Sequence, residues 1–334
     1  MRIFVYEHIT GGGLIDQALP ARMAREGGVM LAALLRDLAE IPDVEIITSR
    51  DPRLPALNTP AKVLVPQNAE EAALFYHNGV NMADAVWPIA PETDSVLERL
   101  SRTVLEQDKI LLGSHPEAVR LAASKRATSR QLARHGISAV PTYAATDCIS
   151  DTAEGWVVKP DDGAGCDDTR WFSTLPAAQH WLSQATGAER YVLQPFIPGK
   201  ALSLSLLCRA GQAFLLSCNC QRIVIEDDSF HFLGSQVNAA PDSQGAFAEL
   251  AQRVTAAIPG LWGYVGIDLV QGGTGAVVME VNPRLTTSYA GLHQALDCNP
   301  AALVLRLLDE QSPLRMPEFS ASQVDVEVEA AHAG

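Results

Sequence analysis

Short apolar runs and amphipathic stretches alternate along the first third of the chain. Residues 2–6 read as a strand, and a loop carrying Gly11-Gly12-Gly13 follows. Leu31, Leu34, Leu35 and Leu38 then recur at helical spacing within a stretch from about 18 to 38. Residues 44–48, 83–89 and 110–112 read as further strands, with helices near 69–78 and 95–107. The pattern predicts a small parallel α/β layer, weakly Rossmann-like. From about residue 116 the character changes. Residues 116–135 predict one helix with Lys125 in its middle, and 155–160, 191–196, 202–208 and 213–219 read as strands. The alternation Ser203-Leu204-Ser205-Leu206 predicts antiparallel pairing with one covered face. The polar segment 226–231 reads as a mobile loop, and residues 313–334 as a loosely held tail.

Two apolar runs near the end carry the most informative chemistry. Gly266-Ile267-Asp268-Leu269-Val270 and Val277-Val278-Met279-Glu280-Val281-Asn282-Pro283-Arg284 flank the turn Gly272-Gly273-Thr274-Gly275, which predicts a hairpin. Asp268, Glu280 and Asn282 would then bring oxygens to one end of a sheet. Acids seldom interrupt apolar strands unless they are paired or bind metal. Magnesium suits such a set, because it takes few protein oxygens and completes its shell with water and phosphate. Manganese is the alternative ion.

Two other segments fit a phosphate-bearing ligand. Lys159-Pro160-Asp161-Asp162-Gly163-Ala164-Gly165 ends a strand in a lysine followed by a glycine loop whose N–H groups can meet phosphate. It is not a Walker A loop, which needs glycine before the lysine and Ser or Thr directly after. Leu193-Gln194-Pro195-Phe196-Ile197-Pro198-Gly199 runs a strand into an apolar hinge. Pro195 has no N–H, so its carbonyl and the Ile197 N–H are the natural pair for an adenine edge. The triple glycine near the N-terminus is not GxGxxG, so a dinucleotide fold is weakly supported.

Composition narrows the field. Hydrophobic residues make up 47% and charged residues 19% of 334, as in an ordinary globular protein. A net charge of −14 argues against a nucleic-acid partner. No secretory signal is evident and no apolar run reaches the ~18 residues of a membrane span, so a cytoplasmic protein with no membrane partner is expected. Six cysteines without a CxxC pair read as reduced thiols.

Taken in order, a lysine, a strand-end lysine with its glycine loop, an apolar hinge and Asp…Glu-x-Asn resemble the ATP-grasp superfamily over about residues 116–310. The resemblance implies an α/β (α+β) ATP-grasp fold behind an N-terminal Rossmann-like pre-ATP-grasp domain. The divisions would be 1–115, a central subdomain 116–195, a C-terminal subdomain 196–312 and the tail. ATP and Mg²⁺ would be the cofactors. Lys125, Lys159, Gly163 and Gly165 would meet phosphates. Gln194, Pro195, Phe196, Ile197 and Met279 would hold the base, and Asp268, Glu280 and Asn282 the metal. Lys159 and Arg284 would serve catalysis. The chain departs from the family at Gly199-Lys200-Ala201, where the family usually has Gly-x-Glu on the ribose.

A narrower resemblance lies in Val5-Tyr6-Glu7-His8-Ile9-Thr10-Gly11-Gly12-Gly13, Ala90-Pro91-Glu92-Thr93-Asp94 and Leu112-Gly113-Ser114. These look like the tyramine–L-glutamate ligase family of methanofuran biosynthesis. That implies an ATP-dependent ligase joining the γ-carboxylate of L-glutamate to tyramine or tyrosine through an acyl phosphate. Glu7, Arg222, Ser288 and Tyr289 are the candidate substrate residues. Small molecules, an amino acid and an amine, would be the partners, and a homodimer is an assembly the chain allows. Another amino-acid or dipeptide ligase, or a nucleotide-binding module without catalysis, are the rival readings.

Overall fold

The computed structural model describes residues 1–151, 153–163, 165–273, 275–311 and 322–328. The N-terminal layer holds β1 (Arg2–Glu7), α1 (Ala21–Ala39), β2 (Glu45–Ser49), β3 (Lys62–Leu64), α2 (Ala69–Met82), β4 (Ala85–Ile89), α3 (Val96–Glu106) and β5 (Ile110–Leu111). Its strands run parallel in the order β3-β2-β1-β4-β5. The expected α/β layer is therefore present, with β3 added at an edge where Lys62-Val63-Leu64 is too short to show a period. Ile3, Val5, Leu31, Leu34 and Leu38 interlock between sheet and α1.

The rest of the chain builds one large sheet. Its elements are α4 (Pro116–Ala123), α5 (Lys125–Arg134), β6 (Tyr143–Ala144), β7 (Trp156–Pro160), β8 (Arg170–Phe172), α6 (Leu175–Gln184), β9 (Tyr191–Pro195), β10 (Lys200–Arg209), β11 (Gln212–Glu226), β12 (Ser229–Val237), α7 (Ala246–Ala257), β13 (Gly263–Gly272), β14 (Gly275–Asn282), α8 (Tyr289–Leu296), α9 (Pro300–Arg306) and β15 (Val324–Glu327). Strands follow the order β14-β13-β10-β11-β12-β8-β7-β9-β6, and β15 pairs with β12. β10 pairs antiparallel with β11 and β13 as the alternation at Ser203–Leu206 predicts, but both of its faces are covered, since Ser203 and Ser205 are as buried as the leucines between them. Among the described residues no helix is long and apolar enough to cross a membrane.

Three expectations need correction. The helix expected over 116–135 breaks at Ser124, whose backbone is extended. Its hydroxyl accepts from the Ala127 N–H and donates to Asp161, whose other carboxylate oxygen takes the Arg126 N–H. Two capping partners thus start a new helix, and Lys125 lies at its first turn rather than mid-helix. The segment 226–231 is the tip of the long β11–β12 hairpin, where His231 pairs with Val224. Of the expected tail, residues 324–327 are docked as β15, while 313–321 and 329–334 lie outside the described residues.

That docking rests on Gly234, which has φ near +145° and sits where an added Cβ would collide with the Val326 carbonyl oxygen. Gly234→Ala should cost roughly 1–3 kcal/mol of stability. It should also free β15, so the melting temperature falls and limited proteolysis within 322–328 accelerates; unchanged protection would refute the account.

Candidate active site

The hairpin of β13 and β14 forms in the register the sequence suggests. Asp268 faces Glu280 across the strands and Gly266 faces Asn282, with a bulge after Asp268. Asn282 Nδ2 donates to Asp268 Oδ2 at 3.0 Å, and Gln221 Nε2 on β11 donates to Oδ1 at 2.9 Å. Burial, and then the charge of Glu280, push the Asp268 carboxyl up to about 7. Two carboxylates held this close are a site that a cation would relieve.

Cations approach from the central strands. Asp161 binds the start of α5, so Lys125 is drawn to the end of β7, where Lys159 projects. Lys125 Nζ donates to the Gly163 carbonyl at 2.6 Å and lies 3.6 Å from Glu280 Oε2. Burial, then the neighbouring Lys125, lower Lys159 to about 8. Two buried ammonium groups on one wall of the cavity suit an anionic ligand.

These side chains open onto one cavity of about 360 Å³. Lys125, Lys159, Gly163, Gly165, Gln194, Pro195, Phe196, Ile197, Met279, Asp268, Glu280, Asn282 and Arg284 all line it. At the hinge end, the Thr142 hydroxyl donates to the Val140 carbonyl, so its oxygen can only accept from Gln194 Nε2, at 2.9 Å. That fixes the amide orientation and leaves Gln194 Oε1 buried without a partner among the described residues. Ala201, at the position of the family's ribose acid, lines the cavity beside apolar Ile223 and Val270.

Arg284 bridges the two sheets. Its Nη2 donates to Glu92 Oε2 at 2.9 Å, with both side chains nearly buried at 11% and 6% exposure. Glu92 follows β4, so the N-terminal layer positions the guanidinium.

The four substrate candidates separate. Glu7 lines the cavity, but its two oxygens accept from the Ile9 and Thr10 N–H groups and so hold the loop after β1. Ser288 also lines it and donates to Ser235 Oγ at 3.0 Å. Arg222 does not reach it. Residues alternate across a strand, so Gln221, Ile223 and Ile225 face the cavity while Arg222 faces β15, 3.7 Å from Glu327 and 3.8 Å from Asp325. Tyr289 is fully buried in the core, its ring edge-on to Tyr264. Sequence reasoning gave no role to Glu92, Gln221 or Glu26. For Glu92 the available signal was a carboxylate shortly after a buried strand, within Ala90–Asp94; for Gln221 and Glu26 only the tertiary contact shows it.

Residues 122–288, half of the chain, match the ATP-grasp domain family, and residues 44–119 match a pre-ATP-grasp domain. The chain belongs to the ATP-grasp family of ligases. It is similar to the tyramine–L-glutamate ligase of Methanocaldococcus jannaschii, 25% identical over 293 residues, 87% of this chain and 84% of the relative. Among solved structures, a putative ATP-grasp superfamily protein from Archaeoglobus fulgidus superposes with a TM-score of 0.72 at 20% identity, covering 98% of this chain and 100% of that one. The biotin carboxylase domain dimer of Hydrogenobacter thermophilus 2-oxoglutarate carboxylase, solved with MgADP, ADP and bicarbonate, superposes at 0.69 and 13% identity, covering 95% and 71%.

Removing one partner of a buried ion pair strands the other charge. Glu92→Ala should therefore lower stability by about 3–5 kcal/mol in urea unfolding. A loss below about 1 kcal/mol, the range of an exposed pair, would contradict the buried bridge.

Proposed function

We propose that this protein is an ATP-dependent carboxylate–amine ligase that joins the γ-carboxylate of L-glutamate to tyramine or tyrosine. The observation that carries the class is the facing of two lysines and an arginine against two carboxylates around one cavity. The choice of substrates rests on the relative named tyramine–L-glutamate ligase and on the N-terminal segments Val5–Gly13 and Ala90–Asp94.

The residues fit a magnesium nucleotide. Among the described residues no three His, Cys, Asp or Glu side chains gather as a metal centre. Asp268, Glu280 and Asn282 would therefore hold Mg²⁺ together with oxygens of the ligand, as that ion prefers. Mn²⁺ would suit the same oxygens. The metal would supply charge neutralisation on the phosphates.

The chain's own groups cover the remaining needs. The unpartnered Gln194 Oε1 suits the 6-amino group of adenine, with the Pro195–Ile197 backbone beside it. Lys125 and Lys159 would hold phosphates, and glycine-loop N–H groups would close over them. Attack of the γ-carboxylate on the terminal phosphorus yields an acyl phosphate and ADP, and positioning carries most of that step. Arg284, oriented by Glu92, would stabilise charge on the transferred group. The amine then displaces phosphate to leave the amide.

ADP release with Mg²⁺-ATP and glutamate should depend on tyramine or tyrosine, and Glu280→Gln should lower it roughly 100-fold or more. Turnover with other amine and carboxylate pairs alone would favour another amino-acid ligase. Undiminished turnover in the variant would remove Glu280 from the site.

The pH dependence of metal binding follows from Asp268. Its carboxyl is raised to about 7, and Mg²⁺ takes only the ionised form. Mg²⁺ affinity of the ADP complex should level off above that pH and fall roughly tenfold per unit below it. Calorimetric titrations at three pH values would show it, and a flat profile would exclude Asp268 as a ligand.

A further inference from the structure

The end of the cavity against the N-terminal layer differs from the metal end. Ile9, Met23, Met30, Ile89, Pro91 and Phe232 give it apolar walls. Within them stands Glu26 of α1, with its side chain 16% exposed. Arg22 Nε donates to its Oε1 at 3.2 Å, while Oε2 lies against Gly165 of the glycine loop. Neighbouring Glu7 is committed to the Ile9 and Thr10 N–H groups. Helix α1 comes this close because Gly27 has no side chain; a Cβ there would meet the Glu7 carboxyl.

Charge divides the cavity. Lys125, Lys159 and Arg284 border the hairpin, where phosphates and a donor carboxylate would go. Glu26 and Asp167 border the apolar end; Arg22 pairs with the first from outside the cavity lining, which leaves the Glu26 carboxylate facing a cation with an apolar body. Glu26 and Arg284 line the same cavity, and the Arg284 charge bears on the Glu26 carboxyl. Burial raises the Glu26 carboxyl, opposed by Arg22, which makes it a better proton acceptor than an exposed acid.

Building on the ligase reading, we propose that Glu26 is a catalytic residue of the amine step, holding the acceptor's ammonium at the apolar end of the cavity and taking its proton. The ammonium gives one proton to Glu26. The freed lone pair forms the C–N bond, and the C–O bond to phosphate breaks with its electron pair on phosphate. The second nitrogen proton leaves on that phosphate, as hydrogen phosphate. Glu26 returns its proton to water. The acceptor class is a primary amine with an aromatic or aliphatic body.

Hydroxylamine separates the two halves of the reaction. Near neutral pH it is largely uncharged, so it intercepts an acyl phosphate without needing a counter-ion or a base. The quantity to measure is amine-dependent turnover divided by glutamyl hydroxamate formation, using whichever of tyramine and tyrosine the wild type accepts. Glu26→Gln should lower that ratio about 100-fold or more, with partial recovery in Glu26→Asp. A ratio within about threefold of wild type would overturn the assignment. Absence of glutamyl hydroxamate in the wild type would instead fail the ligase reading. Should Glu26→Gln not fold, shown by loss of the ADP-induced thermal shift, the wild type decides. There, 2-(4-hydroxyphenyl)ethanol should compete against hydroxylamine at least about tenfold more weakly than tyramine, since only the amine carries the charge. Equal potency would overturn the proposal.

Discussion

The β13–β14 hairpin holds two part-buried carboxylates side by side, and much of the surrounding architecture answers that constraint. Like charges in a poorly solvated place repel, and strand pairing sets Asp268 opposite Glu280. The fold supplies partial compensation: amide donors from Asn282 and Gln221 on one acid, and Lys125 near the other. These partners come from β14, β11 and α5, so the large sheet and its flanking helix must assemble for the hairpin to be tolerated. The raised Asp268 carboxyl indicates that compensation is incomplete. A site left short of positive charge is one in which an arriving cation gains more than it would on the surface.

The same logic joins the two sheets. Arg284 follows the hairpin directly, yet its carboxylate partner Glu92 belongs to the N-terminal layer. An unpaired buried guanidinium is costly, so the ion pair penalises any separation of the layers. Glu7 and Gly27 act beside it in a different way: the first fixes the loop after β1 with two N–H bonds, the second lets α1 pass over that carboxyl. Helix α1 thereby carries Glu26 to the cavity wall. The N-terminal layer is thus part of the cavity and not merely a neighbour of it.

This explains which features the sequence could reveal. Two apolar runs and the glycine turn between them announced the hairpin, because its contacts are local in the chain. Lys159 and the 193–199 hinge were legible for the same reason, each lying where a short apolar run ends. Arg222 was misjudged because a period of two tells which residues share a face, not which face meets the cavity. Tyr289 was misjudged because proximity along the chain to Arg284 ends at the start of α8, which turns the ring into the core. The helix break at Ser124 needed Asp161, thirty-seven positions away. Glu26 lay on an amphipathic helix where any charged residue reads as solvated, and only the approach of the glycine loop removes that reading.

Net charge is the other place where a global quantity misleads about a local one. At −14 the chain would repel a polyphosphate at long range, yet solvent ions screen that field within about 10 Å at ordinary ionic strength. Inside the cavity the balance is set by a few side chains. Burial first, and then the nearby Lys125, depress the proton affinity of Lys159, so an added anion is favoured there. The carboxylates opposite favour an added cation. A metal–nucleotide complex brings both charges at once and relieves both strains, whereas either ion alone relieves one. Under the proposed ligase reading the acidic surface therefore does not oppose nucleotide binding, and the preference for nucleotide and metal together follows from two unfavourable pairs facing each other across the same space.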